Sequence, residues 1–443
     1  MQSISYTITE NHKFAQHIAH MKKILILGAG KSSIYLIDYL VEHAAAENWE
    51  ITVGDISAEL AFVKTKGRTH TTAVTFDIKD EAARKATISA HDVVISMLPA
   101  TLHTTIAEDC LELGKNLVTP SYISPAMKAM NEAVTAKGLI FMNEMGLDPG
   151  IDHMSAMQII DHLQSQGKKI LSFRSHCGGL VAPESDDNAW HYKFSWNPRN
   201  VILAGQGDGG IKWKEDGAVQ EIHYHQLFSH VSTIDLQEDG IYDSYPNRDS
   251  LKYISEYHLD DIETMYRGTL RMPPFCEAWD CLVQLGLTAP TGKCNFTTKE
   301  DAIEQLALQE RPEIQYMLEE IGTFDERNFP HDVHPADSLQ KLLETKWKMR
   351  PEDKDLVVMV HEIEYQDGED VKRIQSSLYI KGTNGEHTAM ALTVGLPLAI
   401  VTKLILKDQI SLKGVLMPKH KEIYEPVMKE LEEYGVKFKE VES

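Results

Sequence analysis

The feature that most constrains the fold is a short apolar strand that enters a glycine-rich turn and then a helix, in "KILILGAGKSSIYLIDYL". Gly28 and Gly30 permit a tight turn whose backbone N–H groups can approach a ligand closely. The N-terminus of the following helix favours a phosphate group. The turn therefore predicts a dinucleotide site formed by Gly28, Gly30, Lys31, Ser32 and Ser33.

This turn has two other interpretations. The letters "GKS" suggest a P-loop, but that motif needs a glycine five positions before Gly30, where this chain has Leu25. A purely structural strand–turn–helix stays open, since Ser33 replaces the third glycine of the dinucleotide fingerprint.

Further strand-like segments follow, each with a helical segment after it: "WEITVGDI", "TTAVTFDI", "DVVISMLP", "KNLVTPSY" and "GLIFMNEMGLDPG". This alternation predicts an α/β fold with a doubly wound parallel sheet of the Rossmann type, in which ligands lie at the carboxyl ends of the strands. We expect this domain to span residues 21–147 and to be completed by about 386–443. Residues 1–20 lack a secretory signal and are predicted to be a disordered extension.

The second strand ends at Asp55, where an acidic residue is expected to bind the ribose hydroxyls of the nucleotide. A carboxylate there repels a 2′-phosphate, so the sequence favours NAD, with NADP as the alternative. An exposed aspartate at a strand end is also common without any ligand.

The chain after Asp148 has a different pattern. An amphipathic helix precedes several strand-like runs, including "NVILAGQG", which predict a mostly antiparallel sheet covered by helices on one face. We expect an α+β substrate domain over residues 148–296 and 351–385, and a small helical subdomain over 297–350. The segment "HTAMALTVGLPLAIVTKLIL" predicts an apolar helix that packs back on the first domain.

Composition excludes some functions. The formal charge of −22 argues against a nucleic-acid partner, and no stretch approaches eighteen consecutive apolar residues, so we expect no membrane span. Five cysteines without a CxxC pair fit a reducing cytoplasm better than a disulfide scaffold or a zinc site.

A few residues in the second part could carry chemistry. Cys177 follows a strand and could be a nucleophile, a proton relay or a buried small hydrophobe. Arg248 in "YPNRDS" and Arg271 in "YRGTLR" could clamp carboxylates or form surface salt bridges. His153 is interpreted as structural. These features indicate a dinucleotide enzyme that acts on a polycarboxylate.

Several long motifs in the same order resemble the saccharopine dehydrogenase family of the L-glutamate-forming type: "LVTPSYISPAM", "MNEMGLDPGIDHM", "CGGLVAPESDDN", "YPNRDS", "RGTLR" and "HTAMALTVGLPLAI". The resemblance covers Met21 to about Lys439. It implies reversible oxidation of L-saccharopine in lysine metabolism, through hydride transfer and imine hydrolysis, to L-glutamate and α-aminoadipate 6-semialdehyde. It also implies a homodimer and no metal.

The resemblance assigns residues to three roles. The predicted substrate contacts are Ser121, Tyr122, Asp148, Arg248, Thr269, Leu270 and Arg271. Further predicted cofactor contacts are Ile56, Asp77, Ile78, Leu98, Pro99, Leu147 and Pro149. The predicted proton-transfer residues are Asp148 and Cys177.

NADP-dependent fungal relatives carry a basic residue after the second strand, whereas "VGDIS" has none, which points to NAD and to lysine breakdown. Two rival functions stay open. One is an imine reductase acting on another amino-acid or polyamine conjugate. The other is a cofactor-binding regulatory protein without turnover, which the intact "GLDPG" and "GTLR" motifs disfavour.

Overall fold

Two β-sheets with helices around them form the protein, in a computed structural model that describes residues 21–206, 210–330 and 332–443. The predicted extension, residues 1–20, lies outside the described residues. The strands are β1 (Lys22–Leu27), β2 (Trp49–Asp55), β3 (Thr71–Thr75), β4 (Val93–Ser96), β5 (Asn116–Val118), β6 (Ile140–Met142), β7 (Lys169–Val181), β8 (Ile211–Glu215), β9 (Ala218–Ile222), β10 (Ser232–Asp235), β11 (Ile241–Pro246), β12 (Thr264–Arg271), β13 (Asp355–Asp367), β14 (Asp370–Lys381), β15 (Gly414–Leu416) and β16 (Lys439–Glu442). The α-helices are α1 (Ile34–Glu47), α2 (Ala58–Thr65), α3 (Glu81–Ser89), α4 (His103–Leu113), α5 (Pro125–Ala129), α6 (Asn131–Ala136), α7 (Ile151–Ser165), α8 (Pro198–Ile202), α9 (Lys252–Glu256), α10 (Phe275–Gln284), α11 (Lys299–Gln305), α12 (Pro312–Ile321), α13 (Pro335–Lys346), α14 (Ala389–Leu406) and α15 (Lys421–Glu433).

The first sheet is parallel and has the order β15-β6-β5-β4-β1-β2-β3. β1 pairs with both β2 and β4, so the strand order reverses there and opens a crevice at the carboxyl ends. Ile24 and Ile26 belong to one apolar cluster, while Leu25 and Leu27 belong to another. A strand buried on both faces is typical of a doubly wound sheet, and the predicted fold class is confirmed.

The second sheet is mixed and has the order β10-β11-β12-β7-β13-β14-β16, with the β8–β9 hairpin attached to β12. β7 pairs with β12 in parallel and with β13 in antiparallel orientation. The predicted strand in "NVILAGQG" is wrong, because residues Pro198–Ile202 form helix α8. Asn197 caps this helix and Pro198 is pre-organised for its first position, so local capping outweighs the β-propensity of Val201 and Ile202.

The C-terminal segment connects the two sheets. Helix α14 packs on α1, as predicted, and a Cβ atom on Gly395 would lie 2.8 Å from the backbone N of Leu36. By length and composition α14 could cross a membrane, but 83% of it is buried inside the protein, as expected for a core helix. β15 extends the first sheet, whereas β16 pairs with β14 at the edge of the second sheet.

Candidate active site

The glycine-rich turn leaves room for a phosphate group. Gly28 has φ +104°, and a Cβ atom there would lie 2.9 Å from the carbonyl oxygen of Met97. A Cβ on Gly30 would meet no described atom within 4 Å. Ser33 is buried, and its hydroxyl donates to the Gly30 carbonyl at 2.8 Å, which fixes the turn. These residues therefore fit the pyrophosphate of a dinucleotide.

Asp55 is bound by the protein's own backbone. One carboxylate oxygen accepts the N–H of Ala29 at 2.8 Å, and the other accepts the N–H of Ser57 at 2.8 Å. The carboxylate thus joins the end of β2 to the glycine-rich turn. Ile56 beside it is 73% exposed at the rim of the sheet.

The loop after β3 is also held in place by the protein. Asp77 is exposed and accepts the N–H of Lys79 at 2.9 Å, while Arg84 donates to the carbonyl of Ile78 and forms an ion pair with Asp109. The predicted cofactor residues of this loop therefore lie at the same sheet edge as Asp55.

The remaining predicted cofactor contacts lie at the ends of β4 and β6 and in the turn. Leu98 is half-buried and Pro99 is exposed, whereas Leu147 and Pro149 are buried. Ser32 is half-buried below the turn. Their role as cofactor contacts stays a prediction.

The side chain of Lys31 points across to the second domain. Its ammonium group donates to the carbonyl of Phe194 at 3.1 Å. Burial and the nearby Lys348 lower the pKa of Lys31. The glycine-rich turn and the second domain are therefore in direct contact.

Ser121 belongs to a neutral hydrogen-bond network. The two ring nitrogens of His103 lie 2.8 Å from the Ser96 and Ser121 hydroxyls, and Thr119 lies 3.1 Å away. Burial lowers the pKa of His103 to about 4, so the ring is neutral at pH 7. The network fixes Ser121 at the end of β5.

Asp148 is held between a phenol and a guanidinium group. The Tyr122 hydroxyl donates to Asp148 Oδ1 at 2.9 Å, and Arg267 donates to the same oxygen. Arg267 also donates to Asp152 Oδ2 at 2.7 Å. Burial raises the pKa of Tyr122 well above 10, so the phenol keeps its proton.

The turn that carries Asp148 depends on glycine. Gly150 has φ +148°, and a Cβ atom on it would lie 2.1 Å from the carbonyl oxygen of Gly146. The N–H of Gly150 donates to Asp152 Oδ1 at 2.5 Å. The sharp turn places Asp148 at its tip and Asp152 in the first turn of α7, so one arginine can reach both carboxylates.

Cys177 lies in β7 beside Thr269 of β12. Burial, and then the negative charges of Asp148 and Asp152, raise the pKa of the Cys177 thiol well above its usual range. A thiol that stays protonated is a poor nucleophile. Of the three sequence interpretations, a buried small side chain with a weak S–H donor fits this environment best.

The alternation of β12 divides its residues between two faces. Arg267, Thr269 and Arg271 face the crevice. Leu270 packs on the opposite face, in a cluster with Leu180 and Val358, so only its main chain is available to a ligand in the crevice.

Arg271 is buried without a carboxylate partner among the described residues. It donates to the Leu270 carbonyl at 2.9 Å and to the Tyr245 hydroxyl at 3.3 Å, and its Nε has no partner. Its guanidinium carbon lies 5.2 Å from the ring centres of both Tyr192 and Phe275. A planar cation in an aromatic box is suited to a ligand carboxylate.

A second group of cations surrounds Tyr122. The Arg248 guanidinium carbon lies 5.2 Å from the centre of its ring, and the Lys252 ammonium lies 4.6 Å from it. Arg248 is exposed and lies in the loop before α9. These cations lie beside the Asp148–Arg267 pair.

Three residues of the site were missed from the sequence. Arg267 stands in the quoted "RGTLR" motif, and its two-residue spacing from Thr269 would have placed it on the same face. Asp152 and Lys252 gave no such signal. His153, interpreted as structural, is fully buried between Glu144 (2.8 Å) and the Tyr257 hydroxyl (2.6 Å).

A doubly wound nucleotide-binding sheet that faces arginines on a second sheet defines a two-domain oxidoreductase. Family models described as "Saccharopine dehydrogenase NADP binding domain" and "Saccharopine dehydrogenase C-terminal domain" match residues 24–142 and 146–436. The chain belongs to the saccharopine dehydrogenase family, as the sequence motifs predicted.

Relatives and a solved structure match over nearly the whole chain. Saccharopine dehydrogenase [NADP(+), L-glutamate-forming] of Pyricularia oryzae is 34% identical, over 95% of this chain and 98% of that protein. The Saccharomyces cerevisiae protein of the same name is 33% identical, over 95% and 99%. The solved apo saccharopine dehydrogenase (L-Glu forming) from S. cerevisiae has a TM-score of 0.84 and 32% identity, over 95% of this chain and 100% of that one.

The predicted preference for NAD is wrong. Three relatives are named for NADP(+), and the matching domain model is described as NADP binding. Both oxygens of Asp55 accept backbone N–H groups, from Ala29 and Ser57, and these donors offset part of the negative charge that the sequence argument set against a 2′-phosphate. The inference of lysine breakdown, which depended on NAD, loses its support.

Proposed function

We propose that the protein reversibly oxidises L-saccharopine to L-glutamate and α-aminoadipate 6-semialdehyde, with NADP(H) as its pyridine nucleotide. The observation that carries the proposal is two groups of cations without an ion-pair partner among the described residues, namely Arg271 at the end of β12 and Arg248 with Lys252 beside Tyr122. The names of the relatives support both the substrate and the nucleotide.

Arg248 and Lys252 surround the same Tyr122 ring as Arg267. Arg267 and Arg271 are four residues apart on β12, so their Cα atoms are separated by about 13 Å at a rise of about 3.3 Å per residue. The spacing of the two cation sites therefore suits a substrate with carboxylates at both ends. Saccharopine carries three carboxylates along an extended chain. In a protein with a formal charge of −22, cations left without an internal partner are available to such a ligand.

The site residues can also manage protons. Bound at the glycine-rich turn, the nucleotide would supply the hydride acceptor. Asp148 would accept a proton from the secondary ammonium of the substrate, because hydride loss is easier from the neutral amine. Arg267 and the Tyr122 hydroxyl both donate to Asp148 and hold its carboxylate in place, and the Tyr122 hydroxyl would relay a proton to or from that carboxylate as water adds to the imine.

Cys177 would have a smaller part in this chemistry. Its thiol lies on the strand next to Thr269 and stays protonated, so it can donate a weak hydrogen bond to the substrate. A homodimer in the cytoplasm remains the predicted assembly and location.

The test is an initial-rate assay with L-saccharopine at alkaline pH, in which the absorbance of the reduced nucleotide is followed with NADP and NAD in parallel. We expect turnover with a higher kcat/KM for NADP. A carboxynorspermidine substrate, with fewer carboxylates, serves as the control and should give at least 100-fold lower kcat/KM. Absence of turnover with L-saccharopine would overturn the reaction, whereas a preference for NAD would overturn only the choice of nucleotide.

A further inference from the structure

Lys252 has an unusual position for a lysine at the start of a short helix. Its ammonium lies 4.6 Å from the ring centres of both Tyr122 and Tyr253, and the side chain remains accessible to solvent. Within the described residues, no carboxylate forms an ion pair with Lys252 or with its neighbour Arg248. Glu144, whose charge acts on Lys252, is hydrogen-bonded to His153 instead. Both cations therefore lie beside the reaction centre without a direct ion pair in the described part of the chain.

The charged neighbours of Lys252 and Arg248 differ from those of Arg267, the third cation beside the Tyr122 ring. Arg267 is neutralised by Asp148 and Asp152. The rings of Tyr122 and Tyr253 attract a cation at this position, and the Lys252 ammonium that they hold can also bind the anion of a ligand. Partial burial lowers the pKa of Lys252; of the charges around it, Glu144 opposes this shift, and Arg267 and Arg248 add to it.

We propose that Lys252 is a specificity-determining residue that, together with Arg248, binds one terminal carboxylate of the substrate. This inference rests on the proposed function for the identity of the substrate, and it adds a residue outside the family motifs quoted above. The lysine contributes a compact charge while the arginine can offer two parallel N–H groups, so together they hold one carboxylate in a defined position.

The reverse reaction separates the two halves of the substrate and provides the test. KM is measured for L-glutamate and for α-aminoadipate 6-semialdehyde in the wild type, Lys252→Met and Lys252→Arg. We expect Lys252→Met to raise KM about 10-fold for one half only, with kcat changed less than twofold, and Lys252→Arg to recover most of the affinity. Lys169→Met, an exposed lysine at the start of β7, should leave both KM values unchanged.

A pH profile gives a second readout that a purely structural role would not produce. The groups that face the Lys252 ammonium are Glu144, Arg248, Asp249, Arg267, Tyr122 and Tyr253. Because Lys252 has a lowered pKa, kcat/KM of the wild type should fall at alkaline pH, and the decline should move to higher pH in Lys252→Arg, where the charge persists.

A binding assay keeps this inference separate from the proposed reaction. Glutarate, a simple dicarboxylate, is titrated calorimetrically into the wild type and Lys252→Met, whose thermal unfolding is compared. We expect about 10-fold weaker binding by the variant with the same unfolding midpoint. Equal glutarate binding, or KM values that rise equally for both halves, would overturn the role of Lys252. If the wild type fails to turn over L-saccharopine, the proposed function is wrong, and the comparison of glutarate binding alone then tests whether Lys252 binds a carboxylate.

Discussion

Two arginines on one face of β12, Arg267 near its middle and Arg271 at its end, have the same burial and opposite surroundings. Arg267 and Arg271 are each 3% exposed and face the same crevice. Arg267 is paired with Asp148 and Asp152, whereas Arg271 has only a carbonyl and a phenol as partners, with rings around it. A buried charge that is neutralised inside the protein supports the fold, and one that is not is available for a ligand.

The largest expected effect is the loss of stability when Arg267 is replaced. Replacing Arg267 with Met leaves two carboxylates in the interior without a cation, so we expect the free energy of unfolding to fall by about 3–5 kcal/mol. Urea unfolding at pH 7 measures it. Arg327→Met, which removes an exposed pair with Asp325, is the control and should leave the urea midpoint nearly unchanged. An equally small effect of Arg267→Met on stability would remove the distinction between Arg267 and Arg271.

Replacement of Arg271 should lower activity and leave stability nearly unchanged. Arg271→Met removes a buried charge without a carboxylate partner, so we expect the free energy of unfolding to change by less than about 1 kcal/mol. The lost carboxylate contact should lower kcat/KM for L-saccharopine about 100-fold, or about 2.7 kcal/mol. Arg271→Lys keeps the positive charge without the planar guanidinium group, so its kcat/KM should lie between those of the wild type and of Arg271→Met. A stability loss like that at Arg267 would contradict the assignment.

The comparison extends to His103, an internally satisfied group on the other side of the crevice. Its folded-state pKa of about 4 lies below the unfolded value of about 6.5, so the unfolded chain binds the proton more readily. Stability present above pH 6.5 should therefore be lost as the pH falls toward 4, by roughly 3 kcal/mol for this ring at most. His103→Gln should reduce the loss between pH 7 and pH 4.5 by about 2 kcal/mol in urea unfolding, whereas exposed His230→Gln should not.

The smallest effect is expected from the replacement of Cys177. Cys177 lies beside Thr269, and its raised pKa keeps the thiol neutral. Cys177→Ala should lower kcat less than threefold and the free energy of unfolding by about 1 kcal/mol. Steady-state rates and urea unfolding measure the two effects. A loss above 100-fold in a folded variant would make the thiol a catalytic group.

The parts that the sequence predicted well depend on local patterns. The turn at Gly28 and the alternation of strands and helices specify the first sheet, since each element is read within about thirty residues. The substrate face could be predicted only in part. Arg271 stands in a legible motif, but the partners of Arg267 lie 119 and 115 residues away in the chain, at Asp148 and Asp152.

Two failed predictions depended on position in the sequence. The preference for NAD treated Asp55 as a free carboxylate, whereas the backbone N–H groups that it accepts come from two different loops. The strand expected at Val201 became a helix because Asn197 and Pro198 start one there. In both cases a neighbouring group competed for the same residue, and sequence spacing does not indicate which interaction is stronger.

The path of the chain between the sheets also limits how such a protein can evolve. The chain passes to the second sheet after β6, returns through α14 and β15, and passes again to β16. A gene divided at residue 147 would encode a nucleotide-binding half without its edge strand and without the helix that covers α1. Recombination could therefore not exchange either half through a single breakpoint, and the two domains would be inherited as one unit.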